Sequence, residues 1–352
     1  MVTRREQSTT TPSLEEGVTV VADVGGTHAR FAVVGSSPQD LRGIEILRCA
    51  EYPDIRHALT HYQRRRRIGR VKELCVAVAG PVGDDRVDLS NSHWRFHVGA
   101  LQRDVGAPLT VINDFTAQAM AIDALRPDEM VWLGTPRPGG GGVRAILGPG
   151  TGLGVAVQTV NGEVLPSEGG HVGFAPGNLH ELDLLKSLLC RFQRVSTERL
   201  LSGPGLENLY WANRTLADAE PPREDDACPA AQVARLASEG DAVALRAVRD
   251  FFDILATFSG DVALLAMASG GVYLSGGVLQ HLIGFLEIDR FRTRFEEKGR
   301  LSGFCKTVPL AYVSHAHPGL LGCAAILRRA APAVHFAQAP RHPVDRVPAP
   351  SP

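Results

Sequence analysis

Apolar positions along the chain fall into short unbroken runs that read as buried strands and into stripes of three-to-four spacing that read as helices. Val18 to Ala22 is apolar apart from Thr19, and similar runs follow near 30–34, 74–79 and 108–112. A helical pattern near 54–66 lies among them, and another follows the fourth run directly. This alternation predicts an α/β block. A Gly/Pro-rich segment, Gly134 to Gly142, separates it from a second block that opens with Ala145 to Val157 as strand, glycine hairpin and strand. The second opening repeats the first. A chain of 352 residues is better served by two domains than by one, so a cleft between them is available.

Further along, Leu182, Leu185, Leu189 and Phe192 share one face of a helix predicted over about 180–193, and that face is expected to pack in the core. Another helix is predicted at about 241–258, an amphipathic surface helix from Phe291 to Gly299, and a short last helix from Pro318 to Arg329. Val262 to Leu286 is uncharged and reaches membrane-span length, but Gly270-Gly271 and Gly276-Gly277 interrupt it and Ser269, Ser275, Gln280 and His281 dilute it. It reads as helix, turn, buried strand and glycine turn. Asp218 to Asp226, acidic and holding Pro221-Pro222, is predicted to be a surface loop. Residues 1–17 and the Pro-rich 332–352 carry no pattern and are expected to be disordered.

A net charge of −1 argues against nucleic-acid binding by phosphate neutralisation. The run Arg64 to Arg67 decorates a helix and reads as its solvated face. Six cysteines, at 49, 75, 190, 228, 305 and 323, show no close pair, which suggests reduced, buried thiols and neither a disulfide framework nor a zinc site. No apolar leader segment precedes the first strand, so a cytoplasmic protein is expected.

Two acid-bearing turns carry the chemistry. The run ending Ala22-Asp23-Val24-Gly25-Gly26-Thr27 places a carboxylate before paired glycines, where a chain without Cβ atoms can turn beside a bulky anion. Asp23 is therefore a candidate metal-side acid and Gly25-Gly26 a phosphate hairpin. Asn113-Asp114 closes the strand near 108–112, which sets Asp114 at a strand's carboxyl end facing a cleft, the place for a general base. Gly150-Thr151-Gly152 is a second glycine hairpin. Neither hairpin is a Walker A loop, because no Gly-Lys-Ser/Thr follows, and neither has the strand-to-helix setting of a Rossmann turn. Taken singly each is a common structural turn; facing each other, they would surround a triphosphate with backbone N–H groups.

The stretches ADVGGT (22–27) with Ala29-Arg30 after it, INDFTAQAMAI (112–122), GPGTGLGVA (148–156), EGGHVGFAP (168–176), STERLLSGPGL (196–206), YLSGGV (273–278) and PGLLG (318–322) run in one order from about residue 18 to 330. In that order and spacing they resemble the bacterial glucokinases of the hexokinase and actin-like ATPase superfamily. The resemblance implies an α/β, two-domain actin-like ATPase (ribonuclease H-like) sugar kinase fold with an interdomain cleft. The small domain would comprise 18–124 plus 315–331 and the large one 125–314. It implies phosphorylation of glucose at the first step of glycolysis, with ATP and Mg²⁺, the metal held near Asp23 through water. Ala22 to Thr27, Gly150 to Gly152 and Gly276-Gly277 would line the nucleotide, and Asn113, Asp114, Glu168, His171 and Glu198 the sugar. A homodimer is implied as well.

Without the resemblance, Glu198 also fits an acid in a helix's first turn after a Ser196 cap. His171 alone would fit a hydrogen-bonded structural histidine. A zinc-like site at Glu168 and His171 lacks a third ligand nearby. Three positions depart from the family's habit: His28 where Asn is usual, Gly173 where Asp is common, and Ala316-His317 where Asp-Asn is frequent. The turn Asn91-Ser92-His93-Trp94 is expected to put an aromatic where the sugar domain closes. A kinase for mannose or an N-acetylhexosamine is the rival enzyme, though the Cys-rich zinc motif of the related repressor and kinase group does not follow His171. A sugar-sensing regulator is the non-enzyme rival, and no helix-turn-helix extension supports it.

Overall fold

The computed structural model describes residues 17–80, 82, 85–89, 92–135, 141–217 and 228–329. The first block contains β1 (Val18–Val24), β2 (His28–Val34), β3 (Leu41–Arg48), α1 (Ile55–Arg66), β4 (Val71–Val78), the short pair β5 (Arg86–Asp88) and β6 (Arg95–His97), α2 (Val98–Val105), β7 (Leu109–Asn113) and α3 (Asp114–Ala121). The second contains β8 (Met130–Trp132), β9 (Arg144–Pro149), β10 (Leu153–Gln158), β11 (Val164–Ser167), α4 (Leu179–Leu189), α5 (Gly203–Ala217), α6 (Ala230–Ser238), α7 (Ala242–Ala266), β12 (Gly271–Leu274), α8 (Gly277–Leu282), α9 (Ile288–Glu296), α10 (Ser302–Cys305) and β13 (Leu310–Val313). The helix α11 (Pro318–Arg328) follows it.

The first sheet has the order β3-β2-β1-β4-β7, with β1 antiparallel to β2 and parallel to β4. Alternation along β1 and β2 sends Val20, Ala22, Val24 and Phe31 to one core with Ile55, Leu59 and Tyr62 of α1. Val21 and Ala32 go to the opposite face with Cys75, Ala77 and Ile112, beneath Leu320, Cys323 and Ala324 of α11. Both faces are covered, which is why these strands read as continuous apolar runs. Asp54 starts α1 by accepting a hydrogen bond from the His57 N–H at 2.9 Å.

The second sheet has the order β11-β10-β9-β12-β13-β8. One face packs on α4, α5 and α7 through Leu147, Val155, Val272, Leu274 and Leu310. The other face, through Ile146, Ala156, Tyr273, Ala311 and Val313, packs on Phe115 and Ala119 of α3 and on Ile122 just after it. The opposite side of α3 lies on α11, so one short helix is shared by both halves. Two glycines allow this approach: a Cβ on Gly322 would fall 1.7 Å from the Ala117 carbonyl oxygen, and one on Gly154 would fall 1.8 Å from the Phe115 ring.

Several expectations change here. On α4 the buried residues are Glu181, Leu184, Ser187 and Leu188, whereas Leu182 is 36 % and Leu189 50 % exposed. The run is leucine-rich enough to offer two stripes, and the buried one is fixed by Glu181, whose carboxylate pairs with Arg294 of α9. Trp94 is fully buried in the first-sheet core, its indole N–H donating to the carbonyls of Cys49 and Tyr52, so it does not face the cleft. Trp132 instead borders the cluster around α3. Cys190 is exposed, against the expectation of buried thiols. The 262–286 stretch forms the end of α7, a turn and β12 as expected, but the glycine turn then opens the short helix α8. Among the described residues no helix is long and apolar enough to cross a membrane. Asn91, residues 1–16, the 218–226 loop and the 332–352 tail lie outside the described residues.

Candidate active site

Two glycine hairpins stand at the tips of their strand pairs. Between β1 and β2 the Gly25 N–H donates to the His28 carbonyl at 3.0 Å, and Cys49 N–H holds the Thr27 carbonyl at 2.9 Å. Ala22 and Val24 have buried side chains, so only their backbone can face a ligand. Asp23 stands 3.7 Å from the Arg30 guanidinium, directly opposite on β2. Burial pushes its carboxyl above the usual range, with Arg30 opposing. The first turn of α11 crosses close by: a Cβ on Gly319 would lie 2.7 Å from the Asp23 carboxyl carbon.

In the second half, Gly150 N–H donates to the Gly152 carbonyl at 2.8 Å, and Gly203 N–H to the Gly150 carbonyl at 2.8 Å, leaving Thr151 exposed at the tip. Gly276 has φ +108, and a Cβ there would meet the Pro149 carbonyl at 2.4 Å. The turn carrying Gly276-Gly277 therefore lies against the strand that leads into the hairpin.

Asn113 and Asp114 stand at the start of α3. Asn113 caps the helix, its Oδ1 accepting from Phe115 N–H at 2.9 Å and Thr116 N–H at 3.2 Å, while Nδ2 donates to the Gly80 carbonyl at 3.1 Å. One amide proton remains free for a ligand. Asp114 opens the helix. Burial pushes its carboxyl up to about 7, the Asp23 charge adds to this, hydrogen bonding from Phe115 N–H opposes it, and Glu168 raises it further. One carboxyl thus feels both Asp23 and Glu168, an acid of the opposite half.

Glu168, His171 and Glu198 come together. His171 places Nε2 4.0 Å from Glu168 and Nδ1 3.9 Å from Glu198. Glu198 Oε2 accepts from the Leu153 N–H at 2.9 Å, just past the second hairpin, and a Cβ on Gly152 would fall 2.5 Å from it. Glu198 does stand in the first turn of a short helix, Thr197–Arg199, that follows Ser196, but Ser196 makes no side-chain cap bond. Glu168 and His171 are 73 % and 60 % exposed, so the cage opens outward.

Among the described residues no group of three or more His, Cys, Asp or Glu is placed to hold a metal ion. A lone Asp23 fits Mg²⁺, which keeps several waters and needs one or two carboxylates beside substrate phosphates. Arg30 is the residue sequence reasoning left out; its signal lay in the hairpin pairing, which sets residue 30 opposite residue 23. His28 pairs with Arg48 on β3, and burial together with Arg30 and Arg48 holds its imidazole below the usual range. That direction favours the neutral ring. His28→Asn is therefore expected to leave the KM for ATP unchanged above pH 7, with any divergence confined to acid pH; a difference persisting at pH 8 in parallel ATP titrations would refute this. His317 sits at the start of α11 with its Nδ1 buried and unpartnered, its imidazole lowered by burial, Arg30 and His315.

A family model described as Glucokinase matches residues 20–330. A glucokinase from Chromohalobacter salexigens is 41% identical over 307 residues, covering 86% of this chain and 95% of that protein. Among solved structures, a glucokinase from an Antarctic psychrotroph superposes with a TM-score of 0.76 at 32% identity, covering 88% of this chain and 98% of that one. A ROK family glucokinase from Streptomyces griseus, in complex with glucose and AMPPNP, shares the fold at a TM-score of 0.60 and 19% identity, over 88% and 98% of the two chains. The fold is that of the two-domain actin-like ATPases that act as sugar kinases. Within that class the chain belongs to the glucokinase family.

Proposed function

We propose that this chain transfers the γ-phosphoryl group of ATP to the 6-hydroxyl of D-glucose, giving glucose 6-phosphate and ADP, with Asp114 as general base. The reading is carried by the setting of Asp114, which opens α3 within reach of the charges of both Asp23 and Glu168, with burial pushing its carboxyl up to about 7. A base works best with a pKa near the operating pH. The Gly25-Gly26 and Gly150-Thr151-Gly152 hairpins cradle the phosphates, and Gly276-Gly277 lies beside the nucleoside. Asn113, Glu168, His171 and Glu198 fix the sugar so that its 6-hydroxyl meets Asp114. Asp114 accepts the hydroxyl proton as that oxygen attacks phosphorus. The transition state is loose, so positioning and charge neutralisation outweigh proton removal. Mg²⁺, held near Asp23 through water, would supply part of that neutralisation.

The division at 124/125 and 314/315, a homodimer and a cytoplasmic location belong to the same proposal. Glu168, His171 and Glu198 together favour a hexose over a regulator's effector, because the base sits beside them. Release of ADP measured across glucose, mannose and N-acetylhexosamines, with and without Mg²⁺, tests the reading. Glucose is expected to give the highest kcat/KM. Preference for another hexose would move the substrate, and no turnover with any sugar would leave a sensor.

A further inference from the structure

The rear of the molecule carries a polar network that the site does not use. Asp123, in the turn that ends α3, accepts hydrogen bonds from three directions. Arg144 Nη1 of β9 reaches Oδ1, while Gln158 Nε2 of β10 and Arg329 Nη2 after α11 reach Oδ2 at 3.1 and 2.9 Å. Arg329 continues across to the second sheet, donating through Nη1 to the Gly162 carbonyl at 2.8 Å in the β10–β11 turn. Gln158 is only 2 % exposed, and its amide oxygen accepts from Arg144 at 3.4 Å, so both ends of a buried amide are committed here.

The placement gives the network a direction. Arg144 and Gln158 are register partners at the end of the β9–β10 hairpin, and Gly150-Thr151-Gly152 is its other end. Asp123 lies roughly 13 Å down the chain's helical path from Asp114 at 1.5 Å per residue. The network therefore ties the far ends of α3 and α11 to the far end of the second sheet, while the near ends of the same elements carry the base and the phosphate hairpin. Isolated surface ion pairs contribute little, but here two guanidinium groups and a buried amide converge on one carboxylate. These contacts hold α3, the residue after α11 and the second sheet together at this one point.

We infer that Asp123 is the pivot on which the two halves turn, a positioning residue that sets the register of the Gly150–Gly152 hairpin against Asp114. The inference rests on the kinase reading above. Loss of a hinge contact changes kcat and KM together, because the free cleft samples geometries in which neither substrate is aligned. Asp123→Asn removes the charge and keeps the shape; Arg329→Gln cuts the tie from a partly exposed residue; Asp123→Glu keeps the charge.

The experiment measures kcat, the KM for glucose and the glucose-induced change in radius of gyration by solution scattering, with circular dichroism and the melting temperature as folding controls. Asp123→Asn and Arg329→Gln are expected to lower kcat and raise the KM for glucose together, each by roughly 3- to 30-fold. Both should also broaden the glucose-free scattering distribution, and Asp123→Glu should recover most of the loss. Variants that melt earlier but keep wild-type kinetics and wild-type compaction would overturn the pivot and leave a stability contact. Should Asp123→Asn fail to fold, Arg329→Gln decides by the same criteria. A wild type without turnover would instead defeat the kinase reading, and the glucose-induced compaction alone would then judge the pivot.

Discussion

Asp114→Asn is expected to lower kcat by roughly 10² to 10⁴, the range for loss of a general base, with glucose still bound. The asparagine keeps the shape and the hydrogen bond from the Phe115 N–H but cannot take a proton. The pH dependence has a definite sign. The base works only when ionised, so wild-type kcat/KM should fall as pH drops through about 7, and the residual activity of the variant should not follow that limb. Stability moves the other way. A carboxyl raised from 3.8 to about 7 by folding is ionised in the unfolded chain first, so this group's contribution to stability declines from about pH 4 up to pH 7 and stays lost above it. Asp114→Asn should therefore be more stable to unfolding than wild type at pH 8, by on the order of 2–4 kcal/mol as an upper range, and the gap should close toward pH 4. A folded variant with unchanged kcat would sink the assignment. A variant both less active and less stable at pH 8 would mean that the carboxylate is structural.

The parts legible in the sequence are those whose physics is local. β1, β4 and β7 are covered on both faces, so their apolar runs need no tertiary knowledge to be read. The glycine turns are legible because only residues without Cβ fit there, as Gly276 against Pro149 illustrates. The edge strand β3 was not predicted because its exposed positions break the run. The helix α5 starts at Gly203-Pro204-Gly205, which reads as a turn; Gly205 is needed because a Cβ would meet the Leu200 carbonyl carbon at 2.5 Å. The stripe expected on α4 is half right: Leu185 and Phe192 pack against the core, Leu182 and Leu189 do not, and the choice of face was made by Glu181 and Arg294, 113 residues apart. Arg30 and Asp123 were missed for the same reason. Their partners are set by strand register and by the contact of the halves, neither of which a linear pattern contains.

Truncating Glu198 is expected to raise the KM for glucose more than any other change in the sugar cage. Its carboxylate is less exposed than Glu168, at 29 % against 73 %, so the loss is less readily made good by water. An unpaired hydroxyl or N–H left in such a place costs about 1–3 kcal/mol, and 1.4 kcal/mol is a factor of ten. Glu198→Ala should then raise the KM for glucose by roughly 10- to 100-fold, with Glu168→Ala and His171→Ala below it. The two jobs of the residue can be separated. Glu198 also holds the Leu153 N–H at the foot of the Gly150–Gly152 hairpin, so the alanine variant should raise the KM for ATP as well, by a smaller factor. Glu198→Gln keeps an acceptor for that N–H and should disturb glucose alone. Titrating each variant against glucose at saturating ATP, and against ATP at saturating glucose, reads both effects. Wild-type glucose affinity in Glu198→Ala would place the sugar elsewhere, and equal ATP effects in the alanine and glutamine variants would remove the hairpin contact from the account.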